Sequence, residues 1–299
     1  MNTRRRHLLL QILLAFTLII GAKALWAQEI LIVGAIPDQN PEDLNRLYKL
    51  LSDSLSKKLN VPVRYIPVTN YPAAVTAFRT GSLDLVWFGG LTGTQARLQK
   101  PGAKVLAQRD IDLEFRSVFI ANLASNIPII KKPSELSILR NKRFTFGSES
   151  STSGRLMPQY YLQQVGVNMN DFKGRRPGFS GSHDATIALV QSGSYDAGAL
   201  NKQVWESNIK RGRVDTSRVR VIWETPKYAD YHWLAQPNLD RRFGDGFTKK
   251  LQNTLLRFGE SSKTELKVLQ LFGAKRFVEA HDYHYKDIER IGRQLGKIK

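Results

Sequence analysis

Two short stretches of this chain combine glycine with a dense run of hydroxyl side chains, and each stands where a helix should begin. The first runs Phe146-Gly-Ser-Glu-Ser-Ser-Thr-Ser-Gly-Arg-Leu-Met-Pro158, and the second runs Gly178-Phe-Ser-Gly-Ser-His-Asp-Ala-Thr-Ile-Ala-Leu189. The first amides of a helix have no intrahelical partner and together carry about half a positive charge, which makes such a start an anion site. Ser151, Thr152 and Ser153 add hydroxyl donors to those amides, and Gly154 lets the backbone approach a ligand closely. Ordinary N-capping also uses Ser and Thr. One cap needs one such side chain, however, and this start offers four. In the second stretch His183 follows a glycine loop at a helix start, where an imidazole, neutral or charged, can donate to an oxyanion. In the N-terminal half, residues 38–40, Tyr71 and residues 87–90 with Trp87 stand at ends of predicted elements where ligands gather; core packing is the competing role for Trp87.

The elements that must position these residues alternate. A strand-like run over 30–36 precedes a helical pattern with Leu44, Leu47, Leu51 and Leu55 on one face, begun by Pro41. A strand over 61–68, a short helix over 72–79 and a buried-looking strand over 83–88 follow. This β-α-β-α-β order predicts a mostly parallel sheet covered by helices, with ligands at the carboxyl ends of its strands. Strands are expected at 105–108 and 115–122, and a first crossover at the polar stretch 122–126. A second α/β set then spans 143–223, and the chain returns between Glu224 and Tyr231. From Asp240 onward the pattern reads as helical, with Phe243, Phe247, Leu251 and Leu255 on one face. No internal repeat or low-complexity segment is evident.

Composition narrows the class. Residues 1–27 carry Arg4, Arg5 and Arg6, then apolar positions 8–20, then Ala22, Ala24 and Ala27: the layout of a cleaved export signal, too short to span a bilayer. A retained anchor would tether the same domain to the outer face of the membrane. The 299 residues contain no cysteine, so neither a disulfide framework nor a lipid attachment is expected. A free periplasmic protein follows. The formal charge is +19, and losing the leader's four cations leaves it strongly basic. Because the cations are scattered rather than striped among aromatics, we read them as steering small anions, not as a nucleic-acid surface. Ser180 or Ser182 with His183 lacks the final glycine of a Gly-x-Ser-x-Gly nucleophile turn, and His281 with His284 lacks further ligands. No catalytic residues, metal or other cofactor are expected. A sensor domain would need an output module that the sequence does not offer.

These residues resemble the periplasmic binding components of phosphonate, phosphate and phosphite ABC importers, nearest to a branch described as selenate-binding. The matching runs are Val33-Gly-Ala-Ile-Pro-Asp38, Asp84-Leu-Val-Trp-Phe-Gly-Gly90, residues 144–158, residues 178–188 and Tyr195-Asp-Ala-Gly-Ala-Leu200. The resemblance implies a two-lobed periplasmic-binding-protein fold of type II, with residues 28–123 plus 230–299 as lobe 1 and residues 124–229 as lobe 2. It implies a small oxyanion (phosphonate, phosphite, phosphate or selenate) held in the interlobe cleft by Tyr71, Ser151, Thr152, Ser153 and His183, with Asp230 as a matching acid. A monomer that delivers this ligand to a membrane permease is the corresponding expectation. Aminophosphonate binders place a carboxylate where this chain has Gln203, so a ligand without an ammonium is expected. Trp87, where relatives often have Tyr, would make the pocket smaller or drier.

Overall fold

The computed structural model describes residues 29–260 and 262–299, so the export signal expected over 1–27 lies outside the described residues. Strand β1 (Leu31–Ala35) is buried and leads into α1 (Pro41–Leu59). Asn40 ends the loop between them: its side chain accepts from the amides of Glu42 and Asp43, and Pro41 fills a position that needs no N–H. The unit repeats as β2 (Val63–Tyr65), α2 (Tyr71–Thr80), β3 (Leu85–Phe88) and α3 (Gly90–Gln99), with β2 and β3 both parallel to β1. Strand β4 (Lys104–Arg109) ends this half.

The chain then crosses over. A 3-10 turn at Asp112–Glu114 leads directly into β5 (Ser117–Asn122), which pairs antiparallel with the strands Ala197–Asn201 and Val219–Glu224 of a second sheet. The crossover therefore falls at Phe115 and Arg116, before the position expected between 122 and 126, and the second lobe begins there. Strand character is local, but the sheet a strand joins depends on a partner some 80 residues away, which periodicity does not reveal. The second sheet is built from β6 (Phe144–Phe146), α4 (Met157–Gln164), β7 (Gly178–Phe179), α5 (His183–Gln191), β8 (Ala197–Asn201), α6 (Lys202–Lys210) and β9 (Val219–Glu224). Its strand order is β7-β6-β8-β5-β9.

On the return, Tyr228 exchanges two backbone hydrogen bonds of 3.0 Å with Phe115, so the two crossovers are paired to each other. Strand β10 (His232–Ala235) inserts antiparallel between β3 and β4. The C-terminal part is not wholly helical: between helices α7 (Leu239–Phe243), α8 (Phe247–Leu256), α9 (Lys263–Phe272) and α10 (Lys286–Gln294) lies β11 (Phe277–Glu279), which closes the first sheet at β4. That sheet reads β11-β4-β10-β3-β1-β2. Parallel pairing is thus confined to the β-α-β units, and the strands that arrive by crossover run antiparallel.

Each lobe buries its own core. Val118 and Ile120 face one side of the second sheet, while Phe119 and Ala121 face the other, the period of two expected of a strand covered on both faces. In the first lobe Tyr48, Trp87, Trp233, Phe272 and Phe277 form one aromatic cluster. Helix α3 packs closely on β10: a Cβ added to Gly93 would lie 2.2 Å from Nε2 of His232, whose ring is pinned 4.1 Å from that of Tyr285. Overpacking of this kind costs about 1–3 kcal/mol. We expect Gly93→Ala to lower the unfolding midpoint in urea accordingly, against the usual helical gain of alanine.

Candidate functional site

The site forms where the helix starts of both lobes meet. Ser151 caps the turn after β6, accepting a 2.9 Å hydrogen bond from the amide of Gly154. The next residues, Thr152–Leu156, form a π-helical turn: Leu156 N–H donates to the Ser151 carbonyl and Met157 N–H to that of Thr152. Pro158 helps explain this widened start. Proline has no N–H to give the carbonyl of Gly154 four residues back, and that carbonyl instead accepts from the amide of Gly147 at 2.9 Å, tying the loop to the helix. A side chain on Gly154 would meet Ser151 Oγ, Gly147 Cα and the His183 ring, all within 3.3 Å. A side chain here would therefore need its neighbours to give way where the two glycine loops touch.

Across the cleft, Gly89 and Gly90 begin α3. The amide of Gly90 donates to Asp230 Oδ1 (2.8 Å), and that of Leu91 to Thr152 Oγ1 (2.9 Å), so one helix start of lobe 1 grips both the acid of the return crossover and a hydroxyl of lobe 2. His183, the first residue of α5, sends its amide to the carbonyl of Asp38 (2.9 Å). Its Nδ1 accepts from Asn201 N–H at 3.4 Å, and its Nε2 stands 3.4 Å from the hydroxyl of Tyr231. That hydroxyl donates to Asp38 Oδ2 (2.9 Å) and accepts from Asn201 Nδ2 (3.1 Å). The lobes are in contact throughout this region, and the structure is a closed one.

Tyr71, Ser151, Thr152, Ser153, His183 and Asp230 converge here, none more than 2% exposed. Three of their buried atoms, Tyr71 Oη, Ser153 Oγ and Asp230 Oδ2, make no hydrogen bond of good geometry among the described residues, although Ser151 stands near Tyr71 and Tyr228 near Ser153. Buried polar atoms are rarely left so, because each costs about 1–3 kcal/mol. Burial pushes the Asp230 carboxyl up to about 7, the Gly90 amide and Thr152 hydroxyl pulling it partly back. Asp38 is raised to about 6 by burial, against the Tyr231 hydroxyl and the charge of Arg109. Burial lowers His183 to about 3, so its imidazole is neutral; with Nδ1 accepting, the proton is on Nε2.

Trp87 and Gln203 do not join this cluster. Trp87 takes the packing role, its indole stacked on Tyr231 and wedged against Trp233, Phe272 and Phe277. Gln203 lies against Gly273 of lobe 1, with its Oε1 3.5 Å from the Arg109 guanidinium. Sequence reading overlooked Arg109, Tyr231 and Asn201, and named Asp38 only as part of a loop. Arg109 is buried, paired with Asp112 at 2.6 Å and stacked 4.8 Å from the Tyr231 ring, which places a cation behind the site. Asn201 and Tyr231 adjoin predicted strand ends, and that position was their available signal; Arg109 had none.

Two lobes joined by paired crossovers and closed on a buried set of unpaired polar atoms are the architecture of a ligand-capturing binding protein. Residues 33–285 match the family described as "ABC transporter, phosphonate, periplasmic substrate-binding protein", and the chain belongs to that family. It is 57% identical over 271 residues, 91% of each chain, to the "Probable ABC transporter phosphite binding protein PhnD1" of Prochlorococcus marinus. The solved structure of that PhnD1 in complex with methylphosphonate is similar with a TM-score of 0.88 at 58% identity, over 90% of this chain and 99% of the other. A phosphonate-transporter binding protein of Pseudomonas aeruginosa shares the fold, with a TM-score of 0.77 at 21% identity over 90% and 87% of the two chains. The chain thus belongs to a family of periplasmic substrate-binding proteins, not to one of enzymes. Among the described residues no helix is long and apolar enough to cross a membrane.

Proposed function

We propose that this protein captures a compact phosphorus oxyanion, phosphite or methylphosphonate, between its lobes and presents it to the permease of its importer. The observation that supports this most is the set of three unpaired buried atoms: two hydroxyls, from Tyr71 and Ser153, and the Oδ2 of an acid poised near neutrality. The hydroxyls of Tyr71 and Ser153 donate to an anion's oxygens; Asp230 shares a proton with the one oxygen that carries or can accept it. Phosphite and phosphonates still hold a proton near neutral pH. Sulfate and selenate do not, so they must take the proton from Asp230 or face its negative charge. Gln203 is an amide packed on Gly273 outside the cluster, so it supplies no carboxylate for a ligand's ammonium. Binding of phosphate stays compatible with the donors, but the extra oxygen must be housed.

The ligand touches both lobes only when they are closed, so it stabilises the closed form by its differential affinity. Ligand-free protein should be titrated in a thermal unfolding panel of phosphite, methylphosphonate, phosphate, 2-aminoethylphosphonate, sulfate and selenate. A ligand at 100 times its dissociation constant adds about 2.7 kcal/mol. Phosphite or methylphosphonate should raise the midpoint most and 2-aminoethylphosphonate least among the phosphorus compounds. A stronger response to sulfate or selenate, or none to any of the six, would overturn the reading. Export through a cleaved leader and action as a monomer belong to the same proposal, which the mature N-terminus and the mass in solution would test.

A further inference from the structure

We propose that Asp43 of lobe 1 and the pair Arg211 and Arg213 of lobe 2 form an interlobe latch that sets how slowly the captured ligand leaves. The inference rests on the capture reading above. Asp43 lies in the first turn of α1 and is only 12% exposed on its side chain, although it sits at the protein surface. Arg211 Nη1 reaches its Oδ2 at 2.7 Å and Arg213 Nη1 reaches the same oxygen at 2.6 Å, while Arg46 of its own helix takes Oδ1 at 2.6 Å. Gly212, with φ of +67°, turns the chain out of α6 between the two arginines, which leave the helix end on either side of it. Three guanidiniums thus converge on one carboxylate, and two of them belong to the other lobe.

The seam continues inward from this cluster. Asn40 N–H donates to Asp184 Oδ2 at 2.6 Å, and Asn208 Nδ2 holds Asp184 Oδ1 at 2.8 Å, so the turn before α1 is gripped by the start of α5 and the end of α6. None of these groups is among the unpaired donors of the buried cluster. An exposed ion pair adds little to the stability of one rigid body. Here the pairs bridge two bodies, so all of their energy is lost on opening and enters the closure equilibrium. If Asp43 served only α1, through its place in the first turn and its pair with Arg46, its loss would affect the lobe and leave ligand release unchanged.

The test is stopped-flow dissociation of phosphite from the wild type, Asp43→Asn, Arg211→Gln/Arg213→Gln and the triple variant, at about 20 and about 300 mM salt. We expect dissociation to be about 3- to 10-fold faster in each variant at low salt, as two such pairs allow, with little change in association. The triple variant should be no worse than Asp43→Asn, and the variants should lose most of the wild type's salt-dependent acceleration. Equal dissociation rates in wild type and Asp43→Asn, or fully additive effects of the two sides, would refute the latch. If the wild type binds no phosphite, the capture reading is at fault; small-angle scattering of ligand-free protein then decides the latch, which requires Asp43→Asn to be more extended than wild type.

Discussion

Thr152→Ala should weaken phosphite binding about 10- to 150-fold, corresponding to about 1.5–3 kcal/mol for a hydrogen bond to a charged partner. Thr152 occupies a position where one oxygen serves both lobes. It accepts from the Leu91 amide across the cleft at 2.9 Å and steadies the Asp230 carboxyl, and its position in the π-helical turn aims it at the same centre as Ser153. Removing it takes a hydrogen-bond donor from Asp230 and leaves a buried amide of α3 without its acceptor. Closure is therefore penalised even before a ligand binds. Thr152→Ser keeps the oxygen and should keep most of the affinity, which separates the hydroxyl from the methyl. Calorimetric titration of both variants checks the expectation; an alanine variant that binds within about twofold of wild type would remove the hydroxyl run from the site.

The closed, ligand-free form should lose stability as the pH rises from about 4 to about 7, and Asp230→Asn should abolish most of that loss. The sign follows from the direction of both carboxyl shifts. Asp38 at about 6 and Asp230 at about 7 lie above the ordinary carboxyl value of 3.8, because burial penalises their charged forms. A group that holds its proton more tightly in the closed form stabilises that form fully below the ordinary value. The contribution is lost as the pH climbs through the raised one. For Asp230 the difference is on the order of 4 kcal/mol, from the free energy of one pKa unit. Opening the lobes hydrates the carboxylate and relieves the strain. Scattering profiles of the ligand-free wild type should therefore be more extended at pH 8 than at pH 5.5, whereas Asp230→Asn, which mimics the neutral acid, should show the smaller change that Asp38 alone leaves. A wild type equally extended at both pH values would contradict the assignment.

Much of the site could be read without coordinates because its parts are local. A cap, a glycine and a strand end are properties of a few neighbouring residues. The run from Ser151 to Gly154 therefore announced a helix start with more donors than it needs, and Gly178 to His183 announced another. The β-α-β order of the first 90 residues followed from apolar spacing alone. Errors arose where the deciding contact is distant. The sequence pattern places β5 in lobe 1, whereas its partners, β8 and β9, lie far along the chain and hold it in lobe 2. Strand β11 was hidden in a helical tail because its three residues form a strand only by pairing with β4.

By itself, then, the sequence determined which residues start helices, which strands alternate with them, and that the chain favours anions, since propensity, capping and charge are carried by residues and their near neighbours. Tertiary structure alone decided which of those residues face one another. It set Trp87 behind Tyr231 instead of in the cluster, brought Arg109 beneath the cleft, turned Gln203 toward Gly273, and buried Asp230 deeply enough to bring its carboxyl near neutrality. The physical reason is common to all four. Burial and the electrostatics it creates are properties of a surface closed by segments from both lobes, and no single segment contains them.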